Sequence, residues 1–375
     1  MIDRDNLPSP TEPADIMEKV GRVRAFLSEN GYDAAVIGRA DNFAWVTCGG
    51  NNKVVLNWEV GFGLLLIEPH AIKLVAQTMD GPRIMDDELA GLDVEYVPLR
   101  WHEPAREETA AKLLEGKKVL ADCPVPGAEL APGALYPLHY PLTDKELDRL
   151  RWLGRRSDGI LRSVANDVQP GMREIDIANR LKSEYALSGA DCDVLLVGSD
   201  ERNSKYRHPN PSDKKVAKLV LLHPAVQKWG LHANVTRMLS FGAPPEETAK
   251  RYETACRVHA TALSMCVPGT KFADILEAQK KAYAACGFEE EWKNHFQGGI
   301  TGYLLADPTL CTAPENAVKQ NMAYDWFITV TGVKSEELSI NTANGVETPS
   351  LAGNWPTATY EAGGKQFNLP EILVK

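Results

Sequence analysis

Apolar residues recur at three- and four-residue intervals from Ile16 through Val20 and Val23 to Leu27, which predicts an amphipathic helix over about 15–30, stopped by Gly31. Short apolar runs then take over. Ala34–Gly38, Gly61–Ile67, Lys73–Ala76 and Val94–Leu99 read as strands, with a short helix or turn at Asn42–Trp45 and a helix near Arg83–Leu89. This alternation predicts an α/β layer of about 130 residues. A Pro and Gly cluster between Pro124 and Pro137 ends it and places a boundary near Leu142. Thr143-Asp-Lys-Glu146 then has the form of a capping box, opening a long helix that carries Leu147, Leu150 and Leu153.

Two features organise the second part. The first is a β-hairpin with apolar runs at Leu219–Leu222 and ending at Met238-Leu239, and a turn within Gln227–Gly230. A turn centred near Lys228 sets His223 across from Asn234, with Cβ atoms about 5 Å apart. His232 shares a strand face with Asn234, because side chains alternate with period two. Three polar groups on one face of a buried hairpin are costly unless paired, so a binding role is expected there. The second feature is an internal repeat. Pro170-Gly171, Asp176-Ile177, Tyr185 and Gly189 recur 98 residues later as Pro268-Gly269, Asp274-Ile275, Tyr283 and Gly287. Each copy predicts a Pro-Gly turn, an amphipathic helix ended by Gly, and a following segment bearing a His, at His208 and His295. A duplicated half-barrel or saddle-shaped sheet with a cleft where the copies meet is the expected architecture.

Composition narrows the function without naming it. The chain has 375 residues, enough for two cores, and its net charge of −10 argues against a nucleic-acid backbone or an anionic membrane as partner. Seven cysteines without a Cys-x-x-Cys spacing indicate neither a disulfide framework nor a thiolate zinc site. A reducing, cytoplasmic setting is expected, since no leader-like or membrane-spanning apolar run is present.

The order of motifs carries a resemblance. A Pro-Gly-helix, then Arg207-His-Pro-Asn-Pro-Ser-Asp213, the hairpin ending Gly230-Leu-His-Ala-Asn-Val-Thr-Arg237, a second Pro-Gly-helix, His295-Phe-Gln-Gly-Gly299 and Lys334-Ser-Glu-Glu337 together resemble the pita-bread family of methionine aminopeptidase, prolidase and creatinase. The resemblance covers the whole chain. It implies an α+β fold, with a small creatinase-like N-terminal α/β domain over 1–142 and a pita-bread catalytic domain over 143–375. It also implies a homodimer, with the N-terminal domain of one chain closing over the cleft of the other. In the family's metallopeptidases two Asp, one His and two Glu hold two metal ions. Those positions fall here on His223, Asn234, Gly299, Phe327 and Glu336, so only the last matches. Carboxylates both bind hard divalent ions and neutralise their charge, and the resemblance therefore implies no metal and no other cofactor. The alternative is one divalent ion held among His223, His232, His295 and Glu336.

Creatinase hydrolyses a C–N bond without metal, and the position of its acid/base His matches His208. A neutral imidazole can take a proton from water and return it to a leaving nitrogen. The expected catalytic set is His208 with Glu336, which accepts substrate N–H groups or raises the basicity of His208, and His295, either a cleft donor or a buried structural residue. His223, His232, Asn234, Arg237, Trp326 and Phe327 are expected to bind substrate, the aromatic pair giving the site an apolar wall. The predicted function is metal-independent hydrolysis of a C–N bond in a small amide, guanidino or cyclic metabolite. The alternatives are a non-catalytic binder of a peptide or small ligand and, third, an Xaa-Pro peptidase.

Overall fold

The structure is a computed structural model that describes residues 7–375. The chain divides into two compact units, one of residues 9–140 and one made chiefly of residues 141–375.

In the first unit, helix α1 (Pro13–Asn30) opens on a Glu12/Asp15 capping box with Pro13 at its first turn. It buries Ile16, Val20, Val23 and Leu27 and ends on Gly31 at φ 68°, the left-handed conformation that glycine adopts without a Cβ clash. Strand β1 (Ala34–Arg39) and helix α2 (Ala40–Val46) follow. Strands β2 (Val60–Ile67), β3 (Ile72–Gln77), β4 (Glu95–Leu99), β5 (Val119–Ala121) and β6 (Glu129–Leu130) complete a mixed sheet of order β4-β3-β2-β1-β5-β6. Helix α3 (Arg106–Leu113) supplies Ala110 to a core that also contains Val36, Leu64, Leu66, Val75 and Ala121. The segment expected as a helix near Arg83–Leu89 is a short irregular helical stretch from Gly81 to Glu88. The polar and aromatic stretch from Asn42 to Trp58 splits in two. Asn42, Phe43, Trp45 and Asn52 are buried within the unit, Asn42 on Asp122 and His139, whereas Val54, Leu56 and Trp58 are exposed.

The second unit opens with α4 (Asp144–Asp167), whose first turn shows the expected capping box: the Thr143 amide donates to Glu146 Oε2 at 2.7 Å. Helix α5 (Glu174–Leu187) and strands β7 (Asp191–Ser199), β8 (Leu219–Lys228), β9 (Leu231–Asn234) and β10 (Arg237–Ser240) come next. Helices α6 (Glu246–Met265) and α7 (Phe272–Ala285) follow, then β11 (Gly298–Thr301), β12 (Met322–Trp326), β13 (Ile328–Val330), β14 (Val333–Ser335) and β15 (Leu338–Thr342). The duplication is visible in these bounds, because α7 repeats α5 at both ends with the 98-residue offset (272 − 174 and 285 − 187). The turns before them place Gly171 and Gly269 at φ 90° and 94°, and Gly189 and Gly287 end them at 66° and 79°. Each copy feeds a sheet, β10-β8-β7 in the first and β11-β12-β15 in the second. The fold class is α+β. Among the described residues no helix is long and apolar enough to cross a membrane.

The hairpin register corrects one expectation. The turn is Trp229-Gly230, at φ 55° and 73°, so Lys228 pairs with Leu231 and Ala225, not His223, faces Asn234. A two-residue turn of this kind needs left-handed backbone at both positions. Gly230 adopts it freely, and Trp229 is held there by its edge-on contact with Trp152, ring centroids 5.3 Å apart. The turn centre moves one residue along the chain, and the group opposite His223 becomes Thr236.

Candidate active site

Hairpin β8–β10 and hairpin β13–β14 bring together a buried polar cluster centred on Glu336, which is wholly buried. Its Oε2 accepts from Lys334 Nζ at 2.6 Å, Thr236 Oγ1 at 2.8 Å and His223 Nδ1 at 2.9 Å, and His223 Nδ1 also reaches Thr236 Oγ1 at 3.0 Å. Lys334 and Glu336 share a face because they are two residues apart on an extended chain. Burial alone would raise the Glu336 carboxyl, but His223 and the Lys334 ammonium hold it below the usual range. The imidazole of His223 is itself lowered, by burial first, against the pull of Glu336. The pair is thus neutral imidazole and carboxylate, and the counter-charge of Glu336 is Lys334.

Asp325 extends this cluster. It stands opposite Gly299 in the β11–β12 register, where no side chain competes for the space. Asn234 Nδ2 donates to its Oδ2 and, at 3.1 Å, to the Leu305 carbonyl. Burial, and then the adjacent Glu336 carboxylate, push the Asp325 carboxyl well above its ordinary value. Asp325 is therefore the protonated member of a carboxyl pair whose ionised member is Glu336.

Above this cluster lie two imidazoles. His208, exposed in the loop before β8, and His295, half-buried before β11, approach through their Nε2 atoms at 3.1 Å. His295 also meets Phe327 edge-on, ring centroids 6.0 Å apart, and Lys334 Nζ lies 5.2 Å from the same ring. Burial, followed by the Lys334 ammonium, lowers both imidazoles, His295 to about 4. Glu336 does pull His208 upward, as expected, but the sum runs the other way. Glu291 ties the loops together: its carboxylate accepts from Arg207 Nη2 at 2.5 Å and from Thr331 Oγ1 at 2.6 Å, fixing the residue before His208 to the hairpin that carries Lys334.

Of the expected site residues, His208, His295, His223, Glu336, Asn234 and Phe327 are assembled in this region. The other three take different partners. His232 bonds the Gly302 carbonyl through Nδ1 at 2.8 Å and approaches Asp193 through Nε2 at 3.0 Å. Arg237 is wholly buried on Glu337, Asp158 and the Ser350 carbonyl, and Trp326 is wholly buried against Tyr324. These are core contacts. Sequence reasoning missed Asp325, Thr236 and the central part of Lys334. The available signal was the period of two: Lys334 with Glu336, and Asp325 with Phe327.

The residues present do not fit a pair of divalent cations. The one carboxylate at a ligand position is bonded to an ammonium, Asn234 is turned to Asp325, Gly299 has no side chain, and the Phe327 ring lies beneath Lys334. Among the described residues no three His, Cys, Asp or Glu side chains are grouped as a ligand set. His232 is held elsewhere, which removes it from a single-ion alternative.

Comparison with known proteins agrees with this architecture. Residues 148–324 match the model of metallopeptidase family M24. That match lies wholly within the second unit. An uncharacterized peptidase of Staphylococcus saprophyticus is 20% identical over 219 residues, which is 56% of this chain and 62% of that protein, so the match spans less than two thirds of the relative. An Xaa-Pro dipeptidase from Bacillus anthracis superposes with a TM-score of 0.76 at 17% identity, covering 96% of this chain and all of the other. A dipeptidase, PepE, from Mycobacterium ulcerans superposes at 0.75 and 17% identity, covering 98% and 99%. The chain thus has the pita-bread fold of these dipeptidase structures.

Proposed function

We propose that the protein is a metal-independent hydrolase that cleaves a C–N bond in a small amide, guanidino or cyclic metabolite, with His208 as the proton-transfer residue. The observation that carries this reading is the juxtaposition of an accessible imidazole pair with a cluster in which Lys334 neutralises the one remaining ligand-type carboxylate. The match of residues 148–324 to the metallopeptidase family M24 model supports hydrolysis as the reaction class. In the proposed reaction neutral His208 takes a proton from water as the water oxygen bonds to the electrophilic carbon. The resulting imidazolium gives that proton to the leaving nitrogen as the C–N bond breaks. An imidazole lowered from about 6.5 is unprotonated at neutral pH, as a general base must be at the outset. The rings of Phe327 and Phe296, with centroids 5.9 Å apart, offer a planar substrate an apolar wall.

The test is His208→Ala and His208→Gln assayed for amine or ammonia release from N-acyl amino acids, guanidino acids and Xaa-Pro dipeptides. On any substrate the wild type turns over, both variants should lose roughly 10² to 10⁴ in turnover, the usual range for general acid–base catalysis, with binding within about tenfold. Retained turnover in His208→Ala would overturn the assignment. Ligand-induced thermal stabilisation without product would favour the non-catalytic binder.

A further inference from the structure

We infer that His295 is a positioning residue that holds His208 in the Nε2–H tautomer, so that Nδ1 of His208 is the atom that takes the proton from water. The inference rests on the proposed role of His208 but makes a separate claim about which nitrogen acts and why.

The argument is a count of donors and acceptors. His295 Nδ1 hydrogen-bonds the Phe296 carbonyl. A carbonyl oxygen only accepts, so Nδ1 of His295 carries a hydrogen. A neutral imidazole has one N–H, and its other nitrogen is then a lone-pair acceptor. His295 is neutral across the working range, since burial and the nearby ammonium lower it to about 4. Its Nε2 is therefore an acceptor, and the one ring nitrogen recorded against it, at 3.1 Å, is His208 Nε2. That nitrogen must donate. Neutral His208 consequently carries its hydrogen on Nε2 and leaves Nδ1 as the lone pair. Among the described residues that Nδ1 has no recorded hydrogen-bond partner, and the side chain is exposed. The two rings meet at 73° with centroids 5.0 Å apart.

The arrangement also has a chemical use. When His208 becomes an imidazolium, its Nε2–H bond to a fixed neutral acceptor strengthens, because hydrogen bonds from a charged donor are roughly twice as strong. His295 does this without a charge of its own, so it does not trap the proton. The Glu291 tie to Arg207 and Thr331 keeps the two loops in register while the charge on His208 changes.

The experiment is nuclear magnetic resonance of full-length protein labelled with 15N-histidine, with His208 assigned by its loss in His208→Gln. Long-range 1H–15N correlation reads the tautomer directly and needs no substrate. At pH 7.5 wild-type His208 should show a protonated Nε2 and an unprotonated Nδ1, and His295 a protonated Nδ1. In His295→Phe the His208 pattern should move to a mixture of tautomers, and in His295→Gln, whose amide oxygen can accept, it should return towards the wild-type form. A charged orienter of a catalytic imidazole is worth roughly 10⁴, and a neutral one less; kcat of His295→Phe should accordingly fall about 10²-fold. An Nδ1–H tautomer for wild-type His208, or a His208 pattern unchanged in His295→Phe, overturns the inference, and neither result depends on His208 being catalytic. Conversely, full turnover in His208→Ala would sink the proposed reaction while leaving the tautomer result standing.

Discussion

Replacing Lys334 by Met keeps an unbranched side chain and removes the ammonium that lies 5.2 Å from the Phe327 ring centroid and 2.6 Å from the buried Glu336 carboxylate. Breaking a buried ion pair from one side costs about 3–5 kcal/mol, because the remaining charge is left without compensation. His223 is neutral and contributes only a hydrogen bond, so it does not replace the lost charge. For a unit of this size each kcal/mol shifts the midpoint by roughly 2–4 °C, which gives a fall of about 6–20 °C at pH 8. The sign with pH distinguishes the variant. In the wild type Glu336 is held below its unfolded value, so its contribution is present above pH about 4.3 and lost as pH falls through the lower folded value. Without Lys334 the buried His223–Glu336 pair takes up a proton more readily, because the ammonium no longer favours the Glu336 carboxylate or opposes a charged His223. The deficit should then grow as pH rises and shrink towards pH 5, where the pair gains that proton. Thermal unfolding of both proteins at pH 5 and pH 8 measures this. Equal midpoints at pH 8, or a deficit larger at pH 5 than at pH 8, would refute Lys334 as the resident counter-charge.

Thr236→Val, which removes the hydroxyl bridging His223 and Glu336, should cost about 1–3 kcal/mol in denaturant unfolding, the penalty for leaving buried partners unsatisfied. Burial pushes the Glu337 carboxyl up to about 7 despite Arg237, so the folded chain binds this proton more tightly than the unfolded one. Its contribution is complete below pH about 4.3 and is lost as pH rises to 7; wild type should lose stability over that interval relative to Glu337→Gln, as measured by guanidinium unfolding at pH 5 and 7.5. The exposed Val54, Leu56 and Trp58 are expected to be covered in a homodimer, so light scattering at micromolar concentration should give twice the chain mass, and Trp58→Glu should shift it towards the monomer.

Much of the fold was legible because its signals are local. The α4 capping box and the Gly-bounded helices α5 and α7 are written in adjacent residues, and the 98-residue offset survives as identical helix lengths. The hairpin register was not legible, since it turned on whether Trp229 adopts a left-handed backbone, and a distant contact with Trp152 decides that. The same holds for the site. His208 and His295 were found from motifs, but Asp325 acquires its role from pairing across the sheet with Gly299, and Arg237 loses one because Asp158 and Glu337 meet it in the core. Which polar residues face a cleft and which face one another is a property of packing, and alternation along a strand narrows it only to a face.

The central claim, hydrolysis without metal, is tested most directly by measuring turnover of chelator-stripped protein whose metal content has been determined by elemental analysis. On a substrate that the untreated wild type hydrolyses, the stripped protein should hold well under one metal per chain and retain its full rate, unchanged when manganese, zinc or cobalt is added. Loss of activity on stripping with recovery on adding one of these ions, at two metals bound per chain, would contradict it.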